Sequence, residues 1–289
     1  MGVEQAGTFV LGGDLPVPRL GFGAMRITGP GIWGEPPDRA EAHRLLRRAV
    51  ELGVRLVDTA DSYGPEISEY LIREALHPYP DGLVIATKGG LVRNGPGEWA
   101  RDGRPDHLER ALHNSLRRLG VERIDVYQLH AVDPEVPLAE SVGRLAKLRQ
   151  QGKIRHVALS NVTVEQLDEA RDIVPIVSVQ NRYNLIDRHH EAVLERCEAL
   201  GIGFIPWAPL HTGEPGQPSV TIDRLAKKHG ITRHQLALAW LLARSPVMLP
   251  IPGTGSVAHL EQNCEAARVR LDAADVEALQ ELPTAQVAS

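Results

Sequence analysis

Short apolar, β-branched runs begin near Leu20, Arg55, Leu83, Ile124, His156, Ile176, Gly203 and Val247, and segments with helical periodicity separate them. Arg39 to Leu52 places Ala42, Leu45, Leu46, Ala49 and Val50 on one stripe, behind Asp38 as an N-cap and ahead of Gly53. The same reading predicts helices over Ile67–Leu76, Pro105–Leu119, Pro137–Gln151, Val164–Arg171 and His190–Leu200. Strand and helix alternate from end to end, which predicts βαβ units, a parallel sheet and, with eight strands, closure into a (β/α)8 barrel. A single domain then spans residues 1–289. Phe9 to Pro18 reads as a hairpin turning at Gly12-Gly13-Asp14, placed to plug the barrel bottom, and helices around Val257–Ala267 and Asp272–Leu282 end the chain. Gly29–Pro37, Arg93–Asp106 and His211–Ser219 are rich enough in Gly and Pro to read as long loops.

Each apolar run ends in a polar residue suited to chemistry: Asp58 with Tyr63 beyond it, Lys88, His130, Ser160 with Asn161, and Gln180. A parallel barrel builds its active site from the C-terminal ends of its strands, so these groups converge on one pocket. A phenol at its usual pKa of about 10 is a poor acid at neutral pH. A nearby ammonium favours the phenolate, and a carboxylate beside that ammonium holds it charged and oriented. The imidazole can bond the phenol or position a carbonyl oxygen. This set suits reversible protonation of an oxygen whose carbon accepts a hydride. There is no paired-carboxylate pattern of a glycosidase, no nucleophile elbow and no HExxH helix.

Taken singly, each of these residues has a plainer role: Asp58 as a turn residue, Lys88 as a solvated strand end, His130 as a strand cap, Tyr63 as a packed phenol. Their arrival together at consecutive βα junctions favours the chemical reading. Gly21-Phe22-Gly23-Ala24 lacks the third glycine and the later acid of a dinucleotide fingerprint, and reads as close backbone packing. His189, His190 and His211 read as surface or helix-start residues, and Arg117-Arg118 and Lys227-Lys228 as solvated helix faces.

With 289 residues, 43% hydrophobic content and a formal charge of −5, the chain can bury a substantial core and has no basic block for nucleic acid or membrane surfaces. Cys197 and Cys264 are isolated from any ligand spacing, so neither a disulfide framework nor a metal site is expected. The N-terminus lacks a signal-peptide pattern, and no apolar stretch approaches the roughly 18 residues of a membrane span. These features predict a cytoplasmic protein, monomeric or a small homo-oligomer, acting on small molecules.

In order, GFGAMRI, DTADSYG, ATKGG, VYQLHAVDP, LSNV, VQNRYNLIDR, PWAPL and IPGTGSVAHLEQN resemble the aldo-keto reductases over essentially the whole chain. The resemblance implies a (β/α)8 TIM barrel that uses a nicotinamide cofactor without a Rossmann fold. It makes Tyr63 the proton donor, Lys88 its partner, Asp58 the lysine anchor and His130 the group that orients a carbonyl substrate. It assigns the nicotinamide carboxamide to Ser160, Asn161 and Gln180, and ring stacking to Trp207. Gly23, Ala24 and Met25, then Ala208, Pro209 and Leu210, follow the cofactor. The turn Ile251–Gly255 suits phosphate at a helix N-terminus. NADPH-preferring members carry Lys and Arg around the adenosine 2′-phosphate, where this chain has Gly253 and His259; Thr254, Ser256 and His259 are left to bind that phosphate, with Gln262 and Asn263 at the adenine. NADPH is the expected cofactor and NADH the alternative.

The loops are most similar to a bacterial branch that includes pyridoxal reductases, which makes pyridoxal a candidate substrate beside generic aldehydes and ketones. Trp33, in the first βα loop, is a candidate pocket wall that would favour a flat ring. Two other functions remain open at this point. One is a Schiff-base lyase using Lys88, which requires a neutral amine. The other is a cofactor-binding regulatory subunit with little turnover.

Overall fold

A computed structural model describes residues 2–212 and 219–284. In chain order the elements are β1 (Thr8–Leu11), β2 (Leu15–Pro18), β3 (Phe22–Gly23), α1 (Arg39–Glu51), β4 (Leu56–Asp58), α2 (Ile67–Leu76), β5 (Val84–Gly89), β6 (Leu91–Gly95) and β7 (Glu98–Arg101). There follow α3 (Pro105–Leu119), β8 (Ile124–Leu129), α4 (Leu138–Gln150), β9 (Ile154–Ser160), α5 (Val164–Arg171), β10 (Ile176–Arg182), α6 (Glu191–Leu200) and β11 (Gly203–Trp207). The chain continues through α7 (Val220–His229), α8 (Arg233–Arg244), α9 (Val257–Glu265) and α10 (Ala273–Gln280). Parallel pairing runs β3-β4-β5-β8-β9-β10-β11, the order of a (β/α)8 barrel.

Local signals set the helix ends. Asp38 accepts from the Glu41 N–H to cap α1, which buries Ala42, Leu45, Leu46 and Ala49. Pro105 opens α3, and Gly120, left-handed at φ +69°, closes it. Thr163 with Gln166, and Thr232 with Gln235, form capping boxes that start α5 and α8.

Two segments depart from the sequence reading. The run from Val247 is not a strand: Phe204 N–H donates to Val247 O at 2.8 Å, Leu249 N–H to Phe204 O at 2.8 Å, and Gly21 N–H to Pro250 O at 3.0 Å. Those bonds bridge β11 to the residue just before β3, closing the barrel. Pro250 and Pro252 have no N–H to give a ladder, which is why no regular strand forms there. Arg93–Asp106, read as a loop, holds most of the antiparallel β6–β7 pair, which begins at Leu91. Pro96 and Gly97 are its turn, and with Gly95 they masked two short strands. Most of the predicted His211–Ser219 loop lies outside the described residues.

Leu11, Leu15 and Val17 of the N-terminal hairpin share one apolar cluster with the inward residues Leu56, Val84, Ala86, Val126, Ala158, Val177, Ile205, Leu249 and Ile251. The hairpin thus plugs one end of the barrel, and Asp14 ties it to Arg155 (2.8 Å) and His156 (2.6 Å) on β9. A larger cluster lies between the sheet and its helices. Leu11 is fully buried. We expect Leu11→Ala to lower the urea midpoint by the equivalent of about 2–5 kcal/mol, the range for a buried leucine truncated in a close-packed core. A loss below the low end would mean that the hairpin packs loosely on the barrel.

Candidate active site

At the C-terminal ends of the strands the predicted proton-handling residues meet. Lys88 on β5 is completely buried, and its ammonium donates to Asp58 Oδ2 at 2.6 Å, to Thr59 O at 2.9 Å and to the Tyr63 hydroxyl at 3.4 Å. Asp58 Oδ1 accepts from Gln128 Nε2 (2.8 Å) and Gln180 Nε2 (2.9 Å), so both carboxylate oxygens are occupied. Burial by itself would lower the lysine pKa, but Asp58 and then Tyr63 outweigh it and the net shift is upward. Lys88 therefore stays an ammonium with all three protons engaged, which disfavours the neutral amine that imine formation needs.

The Tyr63 phenol departs from the sequence reading. Lys88 does pull its pKa down, but burial is the larger effect and the net shift is upward. Without a ligand the phenol is held protonated. His130, just past β8, meets the Tyr63 ring edge-on with centroids 5.8 Å apart. Burial, and then Lys88, hold its pKa well below the usual imidazole range, so the ring is neutral. Ser62 Oγ lies 3.4 Å from His130 Nδ1; a hydroxyl proton donated there leaves the imidazole proton on Nε2.

Beside this group, Asn161 sits in the left-handed region at φ +57°, with Nδ2 donating to His130 O (2.9 Å) and Ser160 Oγ (3.1 Å). Its Oδ1 accepts from Trp207 Nε1 at 2.9 Å, and Ser160 Oγ donates to Gln180 O at 2.8 Å. Ala208, at φ +54°, turns the chain out of β11. A strained non-glycine residue of this kind costs about 1–3 kcal/mol and persists where its surroundings over-determine it.

These residues line a cleft of about 680 Å³ that runs from Asp58, Tyr63 and His130 past Ser160, Asn161, Gln180 and Trp207 to Ala208–Leu210, and to Gly23, Met25 and Gly253. Sequence reasoning missed Arg26, Leu91, Trp99 and His211, which also line it, whereas Ile251 belongs to the turn it had placed at the phosphate. The sequence places His211 among surface or helix-start residues; its position just after the PWAPL run was the available signal for the cleft. Trp33 is not in the lining, because it packs with its ring 5.5 Å from the Arg93 guanidinium. Ala24 is fully buried beneath the surface. Thr254, Ser256, His259, Gln262 and Asn263 lie beyond the cleft lining, along the turn before α9 and on the helix itself.

At its reacting end the cleft's chemistry fits a nicotinamide cofactor. The polar capacity left beside His130 is on acceptors, namely Gln180 Oε1 and the second lone pair of Asn161 Oδ1, which suits the N–H groups of a carboxamide. At the other end, backbone approaches too closely for side chains: a Cβ on Gly23 would lie 2.7 Å from Ile251 O, and one on Gly253 would lie 2.8 Å from Gly23 O. Asn263 Nδ2, on α9, is a buried donor without a partner among the described residues.

The sequence model described as the Aldo/keto reductase family matches residues 19–214 and 219–283. The chain belongs to the aldo/keto reductase family. It is accordingly an oxidoreductase. Similar family members include an uncharacterized oxidoreductase of Schizosaccharomyces pombe, 53% identical over 93% of this chain and 87% of the relative. Pyridoxine 4-dehydrogenase of Escherichia coli is 44% identical over 92% of this chain and 95% of its own length. Among solved structures, an aldo/keto reductase from Klebsiella pneumoniae in complex with NADP and acetate superposes with a TM-score of 0.81 at 27% identity, covering 98% of this chain and 97% of that one.

The neutral, buried His130 of this aldo/keto reductase has a consequence for stability. Its folded pKa lies below the unfolded value of 6.5, so below about pH 6.5 the unfolded chain binds more protons and stability falls as pH drops. His190, held down to about 4 by burial, acts in the same direction. We expect His130→Asn to flatten the acid limb of urea stability against pH relative to the wild type. An unchanged slope would mean that His130 is not held neutral.

Proposed function

We propose that the protein reduces an aldehyde or ketone to the alcohol with NADPH, and that pyridoxal, reduced to pyridoxine, is a substrate. The observation that carries this reading is the buried Asp58–Lys88 pair set behind Tyr63, with neutral His130 beside it, at the wall of one cleft. A nicotinamide cofactor bound along that cleft would supply the hydride that the carbonyl carbon accepts. The residues of the chain manage the oxygen. His130, protonated on Nε2, donates a hydrogen bond that fixes the carbonyl oxygen near Tyr63. Burial keeps the phenol protonated until that oxygen gains charge; Tyr63 then gives up its proton, and Lys88 stabilises the phenolate left behind. Asp58 keeps Lys88 charged through this step. Ser160, Asn161 and Gln180 would hold the carboxamide and Trp207 would stack on the ring. The likeness to E. coli pyridoxine 4-dehydrogenase supports the choice of pyridoxal.

The preference for NADPH needs a cation, and Gly253 cannot become one without moving Gly23. Arg26 stands closest to that position: its Cγ lies 3.6 Å from where a Gly253 Cβ would sit, and it makes no ion pair among the described residues. We assign the 2′-phosphate charge to Arg26, with Thr254, Ser256 and His259 as further partners and Gln262 and Asn263 at the adenine.

Mixing the protein with NADPH and pyridoxal should consume absorbance at 340 nm, and Tyr63→Phe should lower kcat by at least about a hundredfold, the lower range for general-acid catalysis, while NADPH still binds. Normal turnover by Tyr63→Phe would remove the proton-donor role. Arg26→Gln should raise KM for NADPH about tenfold, the effect of losing one charge-assisted contact, and leave KM for NADH nearly unchanged. Equal increases for both cofactors would place Arg26 on a group they share.

A further inference from the structure

Between β5, whose end carries Lys88, and α3, the chain makes the β6–β7 hairpin, and Arg93 faces Trp99 across it. The Arg93 guanidinium lies 3.8 Å from the centroid of the Trp99 ring and 5.5 Å from that of Trp33 in another loop. Its N–H groups all go to backbone carbonyls. Nη1 donates to Ile32 O (2.9 Å) and Ser62 O (3.4 Å), Nη2 to Gly31 O (3.1 Å) and Gly95 O (3.4 Å), and Nε to Glu98 O (3.1 Å). No carboxylate pairs with it among the described residues, and burial alone lowers its pKa. One side chain thus joins the first βα loop, the residue before Tyr63 and both arms of the hairpin. Arginine suits this because its five donors form a rigid planar fork with a face that stacks on aromatic rings.

The indole held in this way looks onto the reacting groups. Trp99 lines the cleft, is 40% exposed although Arg93 covers part of it, and meets the His130 ring edge-on at 6.5 Å. Tyr63 flanks the same imidazole at 5.8 Å. A large, flat, exposed tryptophan on a soluble protein is unusual unless something covers it in use, and here the neighbouring groups are those proposed to act on a carbonyl oxygen.

We propose that Trp99 is the specificity-determining wall of the substrate end of the cleft, that Arg93 is the residue positioning it, and that together they select planar aromatic carbonyl compounds over small aliphatic ones. This rests on the carbonyl reductase reading above. A planar ring gains stacking and apolar burial against the fixed indole, whereas a short alkyl aldehyde has too little surface to use it. The wall is rigid before the substrate arrives, so little side-chain ordering remains to be done on binding.

The test compares 2-naphthaldehyde with propanal, each with NADPH, across Trp99 and Arg93 variants. Trp99→Leu should lower kcat/KM for 2-naphthaldehyde about tenfold, mainly through KM, as expected for a lost stacking partner, and change the propanal value by less than about twofold. Trp99→Phe should recover most of the loss. Arg93→Met should lower the aromatic-to-aliphatic ratio several-fold in the wild-type background and leave it unchanged in Trp99→Leu, and Arg93→Lys should not restore it. NADPH affinity, read from fluorescence quenching, should stay at the wild-type value in every variant, separating a lost wall from a lost fold. The proposal is overturned if Trp99→Leu leaves the ratio unchanged, or if Arg93→Met alters it equally in both backgrounds. An active wild type with either of those results removes the wall and keeps the reductase reading; a wild type that consumes no NADPH with pyridoxal or with either aldehyde removes both.

Discussion

The ion pair between Lys88 and Asp58, sealed inside the barrel mouth, is the constraint to which the site is built. Taking two charges out of water costs several kcal/mol per ion, and their attraction offsets this only when the remaining polar capacity is also met. That condition explains the residues around it. Gln128 and Gln180 reach Asp58 Oδ1 from β8 and β10, and Thr59 O takes a lysine proton from the turn after β4. The pair and its ligands therefore come from four strands, β4, β5, β8 and β10, and fix the register in which their ends meet. Tyr63 receives only the long third contact of the ammonium. The charge that would stabilise a phenolate is thus in place while burial keeps the phenol neutral.

Much of this arrangement was legible in the sequence because barrel chemistry follows a positional rule. A chemical residue at the end of an apolar run points to the mouth, and Asp58, Lys88, His130, Ser160 and Gln180 obey it. Helix ends were equally readable at Asp38, Pro105 and Thr163, where capping is a local matter. The signal failed where structure depends on non-local partners. Pro250 and Pro252 prevent the last barrel segment from forming a strand, yet its backbone still bridges both neighbours. The β6–β7 hairpin has strands too short to show alternation, so Trp99 and Arg93 looked like loop residues. Trp33 was drawn to the pocket by its loop position, and only the three-dimensional structure shows it packed behind Arg93. The upward shift of the Tyr63 pKa also lay beyond reach, since sequence names the neighbouring charges but not the depth of burial.

The two ends of the cleft are organised by different means. At the reacting end, side chains do the work, each anchored by at least one neighbour: Trp207 by Asn161, Asn161 by His130 O, Trp99 by Arg93. At the far end, backbone does it, through glycines that let Gly23, Ile251 and Gly253 pass within contact of one another. Side-chain order gives orientation, and bare backbone lets the first and last barrel segments pack against each other.

The close passage of Gly253 over Gly23 also limits how this protein can evolve. These glycines lie near opposite ends of the chain and come together where the last barrel segment meets the first. A lysine introduced at 253 would strike the carbonyl of residue 23, so the customary cation cannot arrive there by one viable substitution. A new charge in this part of the cleft is more easily placed on a side chain such as Arg26, which lines it, than at the Gly23–Gly253 seam.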